Sequence, residues 1–385
     1  MKKLRILFPR VEAGYGHIVT LNALEEAFKK KYGDKFEIID CNYFVDSGYT
    51  KLTKLGDKLV ERVRRYGRHP KIGFFENIMC EFWGTRLSMF SIMELLVPGA
   101  TRYGKKYMIK LNPDVLVSTH WATTYYAEKL KKEKPYTISY CPDAMMNKLF
   151  QYKADLSLIS MKCGYDAAIK KRKYNEDNLK LVPFLIRNQV YSIPLDKKQN
   201  RRNLNLPEDK FTITLAEGGY GLGKMKKIVE LLLKEDLPLT IIPICGKNPE
   251  LLEYLKKLPK ASSITYLPLG FTDKILEYEA ASDLFCGKSG NMIAEPTFFG
   301  VPSIITNFNT TIELKIGKHY IDYVKCAIKE FDPERVVKLI KDFYYNPELL
   351  KPYQDAAINN HENYGADKVA DLIYEEICKK FNLSK

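Results

Sequence analysis

The chain has 385 residues, 45% hydrophobic and 28% charged, with a formal net charge of +14. That is an ordinary globular balance, and the length suits two domains that each bury their own core. No apolar run reaches the roughly 18 residues needed to span a bilayer, the eight cysteines form no CxxC pair, and the five histidines form no HExxH cluster, which argues against a spanning helix, a disulfide framework and a structural metal.

Residues 3–8 read as a buried strand. Arg5, Pro9, Arg10 and Glu12 interrupt any signal-peptide core, so the chain is expected to stay cytosolic or to sit on a membrane from that side. Residues 18–32 form a helix with Leu21, Leu24, Ala27 and Phe28 at helical spacing, and 36–40 a second strand. Residues 51–71 carry Lys51, Lys54, Lys58, Arg62, Arg64, Arg65, Arg68 and Lys71 around an apolar stripe. An aromatic and aliphatic run with Phe74, Phe75, Phe82, Trp83, Phe90, Leu95 and Leu96 follows. A basic helix beside apolar side chains is what an interfacial membrane segment looks like, although a core-packed helix with solvated charges has the same pattern. The positive balance implies anionic partners, and no nucleic-acid motif accompanies it.

Strands follow at 114–118, 137–141, 156–159 and 179–182, alternating with helices such as 122–132. The alternation predicts a parallel sheet covered on both faces. After a polar, basic joint at 195–206 the alternation resumes with strands at 211–215, 239–244 and 264–267 and helices at 225–233 and 249–258. A strand at 303–306 and a helix at 333–343 come later, and 353–381 is helical enough to reach back to the first domain.

Residues 270–302 carry the most specific signal. An amphipathic helix leads to the strand 283–286, the loop Lys288-Ser289-Gly290-Asn291, and a second helix from near Met292. A strand feeding a helix through a glycine loop gathers unpaired amides at one spot, suited to a diphosphate. Glu295, about one turn in, can reach the hydroxyls of a ribose, so a nucleotide-sugar site is favoured.

Gly270-Phe271-Thr272, the strand, Lys288-Ser289-Gly290 with Glu295, and Gly300-Val301-Pro302 resemble the donor-binding half of the GT-B glycosyltransferases. Within these they are most similar to the group of processive diacylglycerol glucosyltransferases, monogalactosyldiacylglycerol synthases and the peptidoglycan N-acetylglucosaminyltransferase. Gly14-Tyr15-Gly16-His17, Gly218-Gly219-Tyr220-Gly221 and Cys245-Gly246-Lys247-Asn248 stand in the expected order, so the resemblance spans nearly the whole chain. It implies two Rossmann-like domains facing across a cleft. Residues 1–192 would bind acceptor and membrane, 193–385 the nucleotide sugar, and the last helices would cross back.

It further implies roles. His17, or Glu12, would take a proton from the acceptor, with Asp143 orienting the base or binding acceptor, and with His120 and Trp121 at the acceptor site. Gly14 and Gly16 would admit ligand closely. Gly219 and Gly221 would meet the donor phosphate, Phe271 and Thr272 the uracil, Lys288, Ser289, Gly290, Asn291 and Met292 the diphosphate, and Glu295 the ribose. Relatives carry a Gln-Glu or Glu-Glu pair for the sugar where this chain reads Thr310-Thr311-Ile312-Glu313, leaving Glu313 as the match. The implied activity is inverting, metal-independent transfer of a hexose from a UDP-sugar, glucose before galactose, to a diacylglycerol-type lipid. It would take place peripherally on the inner membrane face, with residues 51–96 on anionic lipid and without a tightly bound cofactor. Transfer of N-acetylglucosamine to another lipid-linked or small acceptor, and a silent scaffold that binds membrane or partner, remain alternatives, and dimerisation is left open.

Overall fold

The computed structural model describes residues 3–12, 15–68, 75, 78, 91, 93–146, 150, 154–170, 174–219, 221 and 223–383. It divides into two compact units, one of residues 1–188 with 363–385 and one of residues 189–362.

The first unit is built on a parallel sheet of order β2-β1-β3-β4-β5-β6, comprising β1 (Arg5–Arg10), β2 (Glu37–Asn42), β3 (Val115–Ser118), β4 (Tyr136–Cys141), β5 (Leu156–Ile159) and β6 (Leu179–Leu181). Its strands are short apolar runs because both faces are covered. Side chains alternate between the faces. Leu7 and Leu116 enter one core, with Leu52 and Tyr126, while Ile6, Phe8, Val115 and Val117 enter the other. The second core is closed by α1 (Tyr15–Tyr32) and by the last helix of the chain, Ala366–Phe381, which pack along each other. Tyr32 and Tyr374 stack at 4.0 Å between ring centroids, and Phe184 with Gly365 stitches the returning chain to the sheet's edge region. The expected crossing back is therefore made by this helix. The segment 353–381 is not one helix, since residues 360–365 break it and Lys351–Asn359 belongs to the other unit.

The basic helix α2 (Thr50–Arg68) turns Leu52, Leu55 and Leu59 into the first core and leaves Lys51, Lys54, Lys58 and Arg65 exposed. These apolar residues are thus spent on packing, and the described outward face carries the basic residues together with Asp57 and Glu61. Of the run that follows, Phe74, Phe82, Trp83 and Phe90 lie outside the described residues, while Phe75 and Leu95 are exposed. The next helix, α3 (Ala100–Leu111), adds exposed Arg102, Lys106 and Ile109. No helix of the described residues is long and apolar enough to cross a membrane.

The second unit carries a parallel sheet of order β12-β11-β10-β7-β8-β9, running through β7 (Phe211–Ala216), β8 (Leu239–Ile244), β9 (Thr265–Tyr266), β10 (Leu284–Lys288), β11 (Ser303–Asn307) and β12 (Ala327–Lys329). The sequence order reverses between β7 and β10, which is the switch point where open α/β sheets bind ligands. The polar joint is a correction. Lys197–Asn203 is helical, N-capped by Asp196, and Arg201 is buried with its guanidinium donating to Ala281 O, Glu208 O and Asp283. Burying the one arginine that finds three acceptors turns a stretch that reads as a linker into a fixed part of this unit.

Candidate functional site

Each unit assembles its candidate residues at its own switch point. In the first, β1 lies between β2 and β3, and the chain leaving β1 turns into α1 beside the chain leaving β3. That arrangement joins His17 and Thr119, 102 residues apart, through a 2.7 Å contact between His17 Nδ1 and the Thr119 carbonyl. A carbonyl only accepts, so Nδ1 carries a proton, and in the neutral ring the lone pair then lies on Nε2. Thr119 Oγ1 donates back to the His17 carbonyl at 2.9 Å, and Thr20 Oγ1 bonds the Gly16 carbonyl, fixing the first turn of α1. The imidazole is oriented as a base.

His120 stands edge-on to His17 at 5.0 Å between centroids and is buried. Its Nδ1 accepts the Ala122 amide at 3.2 Å, capping the helix Trp121–Glu128. Burial, then the neighbouring His17, holds its pKa well below the usual imidazole value, so His120 is a neutral ring. Trp121 lies against His120 within the core, and Phe150 stacks on His17 at 6.2 Å. Glu12 is exposed and accepts from Asn42 Nδ2 at 2.8 Å. Asp143 is half-buried just beyond β4, the neighbour of β3. Gly14 lies outside the described residues. Neither Thr119 nor Phe150 stood out in the sequence. A signal existed for Thr119, beside His120 at a strand end, but none for Phe150.

In the second unit the strands β7 and β10 run side by side, and the loops that leave them carry the glycines. Gly290 has φ 148°, a region few residues but glycine enter, with open space where a side chain would stand. The amide of Ser289 is already donated to Asn307 O at 2.8 Å and its hydroxyl to Glu313 O. Among the described residues no acceptor takes the amides of Gly290, Asn291 and Met292, and buried Asn291 Oδ1 has no partner. Of the four amides from Ser289 to Met292, three are therefore left undonated among the described residues. The helix behind it opens with the tight turn Asn291–Ile293 and continues only through Ala294–Phe298, with Glu295 buried in its first turn. Lys288 lies along Gly218, its Cε 3.8 Å from the place of a Cβ there, and its ammonium meets Glu313.

The turn after β7 adds a residue that the sequence reading did not single out. Glu217, buried, accepts the Lys224 amide at 2.6 Å and Thr306 Oγ1 at 3.3 Å, so this carboxylate occupies the N-terminus of the helix Met225–Leu232. Burial pushes its pKa up, and Oε2 is left without a partner. Gly219 O accepts the Lys247 amide, while a Cβ on Gly221 would stand 2.8 Å from Cys245 O, so these glycines let two turns pack backbone on backbone. Phe271 is 65% exposed, with the Lys247 ammonium 5.5 Å from its ring centre, and Thr272 Oγ1 accepts the Lys274 amide. Among the described residues no three His, Cys, Asp or Glu side chains cluster to hold a metal ion.

No protein-family model matches the chain. It is 21% identical over 380 residues to a probable monogalactosyldiacylglycerol synthase of Glycine max, covering 89% of this chain and 66% of that protein. It therefore spans just under two thirds of the length of that relative. It is 26% identical over 229 residues, 54% of this chain and 60% of the other, to a UDP-N-acetylglucosamine–N-acetylmuramyl-(pentapeptide) pyrophosphoryl-undecaprenol N-acetylglucosamine transferase of Thermoanaerobacter. It is 27% identical over 162 residues, 42% and 41% of the two chains, to a processive diacylglycerol beta-glucosyltransferase of Staphylococcus aureus. Among solved structures, MurG of Acinetobacter baumannii superposes with a TM-score of 0.61 at 13% identity, covering 97% of this chain and all of that one. A UDP co-structure of S. aureus MnaA gives 0.64 at 13% identity, covering 100% and 98%. With its two six-stranded parallel sheets the chain has the GT-B fold, and it is a distant homologue of the glycosyltransferases that comprise the monogalactosyldiacylglycerol synthases, MurG and the processive diacylglycerol glucosyltransferases.

Proposed function

We propose that this chain transfers a hexose from a UDP-sugar to the hydroxyl of a diacylglycerol-type lipid, with inversion and without a divalent metal. The observation that carries the reading is His17, whose Nδ1 is committed to the Thr119 carbonyl so that Nε2 is the free base. In the reaction the acceptor oxygen bonds the anomeric carbon, the bond to UDP breaks with its electrons on the diphosphate, and the hydroxyl proton passes to His17 Nε2. Lys288 and the amides of Gly290, Asn291 and Met292 supply the charge that stabilises departing UDP. Glu295 receives the ribose, Phe271 and Thr272 flank the base, and Asp143, His120 and Trp121 shape the acceptor side.

A lipid acceptor is supported by the relatives' names, by the basic residues exposed on α2 and α3, and by a groove of about 420 Å³ along α3 lined by Glu94, Arg102, Lys105, Lys106 and Ile109. Such faces suit peripheral attachment to anionic lipid on the cytoplasmic side of a membrane. UDP-glucose is the first candidate donor and UDP-galactose the second. UDP-N-acetylglucosamine is kept as a second reading because the match to the Thermoanaerobacter transferase covers 54% of this chain.

The test is UDP release from a panel of UDP-sugars, with and without vesicles of diacylglycerol and anionic lipid, in EDTA. Vesicle-dependent release from one sugar is expected and names the donor. Release that requires added divalent ion refutes metal independence. UDP binding without release from any sugar shifts the assignment to another acceptor or a silent scaffold.

A further inference from the structure

Thr310-Thr311-Ile312-Glu313 has the spacing of a capping box, in which the last residue's carboxylate turns back to an amide ahead of its helix. The structure shows that use at the start of Thr311–Lys318. Thr310 Oγ1 accepts the Glu313 amide at 3.1 Å, and Glu313 Oε2 accepts the Asn309 amide at 2.6 Å. Glu313 Oε1 accepts from the Lys288 ammonium, with each side chain only 18% exposed. One oxygen is thus tied to the backbone and the other to a cation. A carboxylate committed this way is poorly placed to read sugar hydroxyls, the role its position suggested.

The pairing has a physical reason. An ammonium largely withdrawn from water is costly without a counter-charge; Glu313 supplies it by direct contact, while the buried Glu217 carboxylate acts on Lys288 through space. We propose that Glu313 is the resting counterion of Lys288, a positioning residue that holds the ammonium beside Gly218 until the diphosphate takes it over. This inference rests on the donor reading above. A carboxylate that must be displaced weakens the hold on UDP and on UDP-sugar alike. It therefore assists product release and contributes nothing to choosing the sugar.

The experiment is calorimetric titration of the full chain with UDP, UDP-glucose and inorganic pyrophosphate. Glu313→Gln keeps an acceptor for the Asn309 amide and removes the charge. Kd for all three ligands is expected to fall by a common factor of about fivefold, the scale of one partly buried ion pair broken on binding. The effect is expected to vanish in a Lys288→Met background. Glu313→Asp, too short to span from the Asn309 amide to Lys288, should move Kd in the same direction, and it decides the matter if the Gln variant does not fold. Weaker UDP-glucose binding with UDP and pyrophosphate unchanged would make Glu313 a sugar contact and overturn the proposal. So would equal tightening in the Lys288→Met background, which marks a mere through-space effect. A wild-type chain that binds pyrophosphate but not UDP overturns the nucleotide reading alone, and the same cycle on pyrophosphate then judges Glu313. Binding of neither overturns both.

Discussion

Replacing His17 by alanine separates chemistry from binding. The imidazole makes one polar contact, Nδ1–H to the Thr119 carbonyl at 2.7 Å, and ring contacts with His120 and Phe150. Losing that hydrogen bond costs about 1 kcal/mol of stability, a Tm shift of about 2–4 °C for a unit of this size. Losing a positioned general base costs about 10²- to 10⁴-fold in kcat, or about 3–5 kcal/mol in the barrier. The residues assigned to UDP all belong to the second unit, so Kd for UDP should stay within about twofold, a shift of under half a kcal/mol. The assay is vesicle-dependent UDP release at saturating donor, alongside UDP titration and thermal melting. A folded His17→Ala protein that keeps a tenth or more of wild-type kcat would refute the base assignment. Lost UDP binding with an unchanged melt would refute it too, by making His17 a donor contact.

Gly290→Ala forces a side chain into a φ of 148° where space is open, so its cost is backbone strain of about 1–3 kcal/mol; relieving it moves the loop amides, and UDP affinity should drop about tenfold in titration. Burial lowers the pKa of His120, and that of His319 to about 4, against an unfolded value near 6.5. The unfolded chain therefore binds more protons in this window. Stability is full above pH about 6.5 and falls as the pH drops toward 4. His120→Asn, which keeps a capping oxygen for the Ala122 amide, should flatten the acid side of a Tm–pH curve, and an unchanged slope would count against a buried neutral His120. Replacing Lys54, Lys105 and Lys106 with glutamate should weaken binding to anionic vesicles by about 10²-fold or more, at about 1 kcal/mol per lysine, leave UDP affinity alone, and lose its effect in high salt.

Most strands of both sheets were legible because they are short apolar runs bounded by turns, while the three-residue edge strand β12 and the order of the strands were not. The loops after β1, β3, β7 and β10 stood out as candidate ligand sites because each leaves the carboxyl end of a parallel strand. What the loops do with their atoms was not legible. Ser289 gives its amide to Asn307 because the ladder between β10 and β11 slips at Gly287 and Lys288, an irregularity with no local signature. Glu217 follows a strand like any solvated turn residue, and only the fold shows it accepting the amide at the start of a helix. The membrane reading of α2 drew on a stripe that a core-facing helix shares; Leu52, Leu55 and Leu59 are buried, so the stripe itself packs into the core. Asp196 ahead of Lys197 was a helix start in plain view, overlooked because the segment has no apolar periodicity.

The last helix, Ala366–Phe381, supplies Val369, Ala370, Ile373 and Ile377 to the core under β1, the strand that leads to His17. A chain emerging from the ribosome amino end first would therefore hold the strands of its first sheet unfinished until residues 366–381 are free. The second unit, continuous in sequence, can close while the first still waits. Aggregation risk during synthesis falls on the proposed acceptor half, and a carboxyl-terminal truncation should surface as a defect at the other end of the sequence.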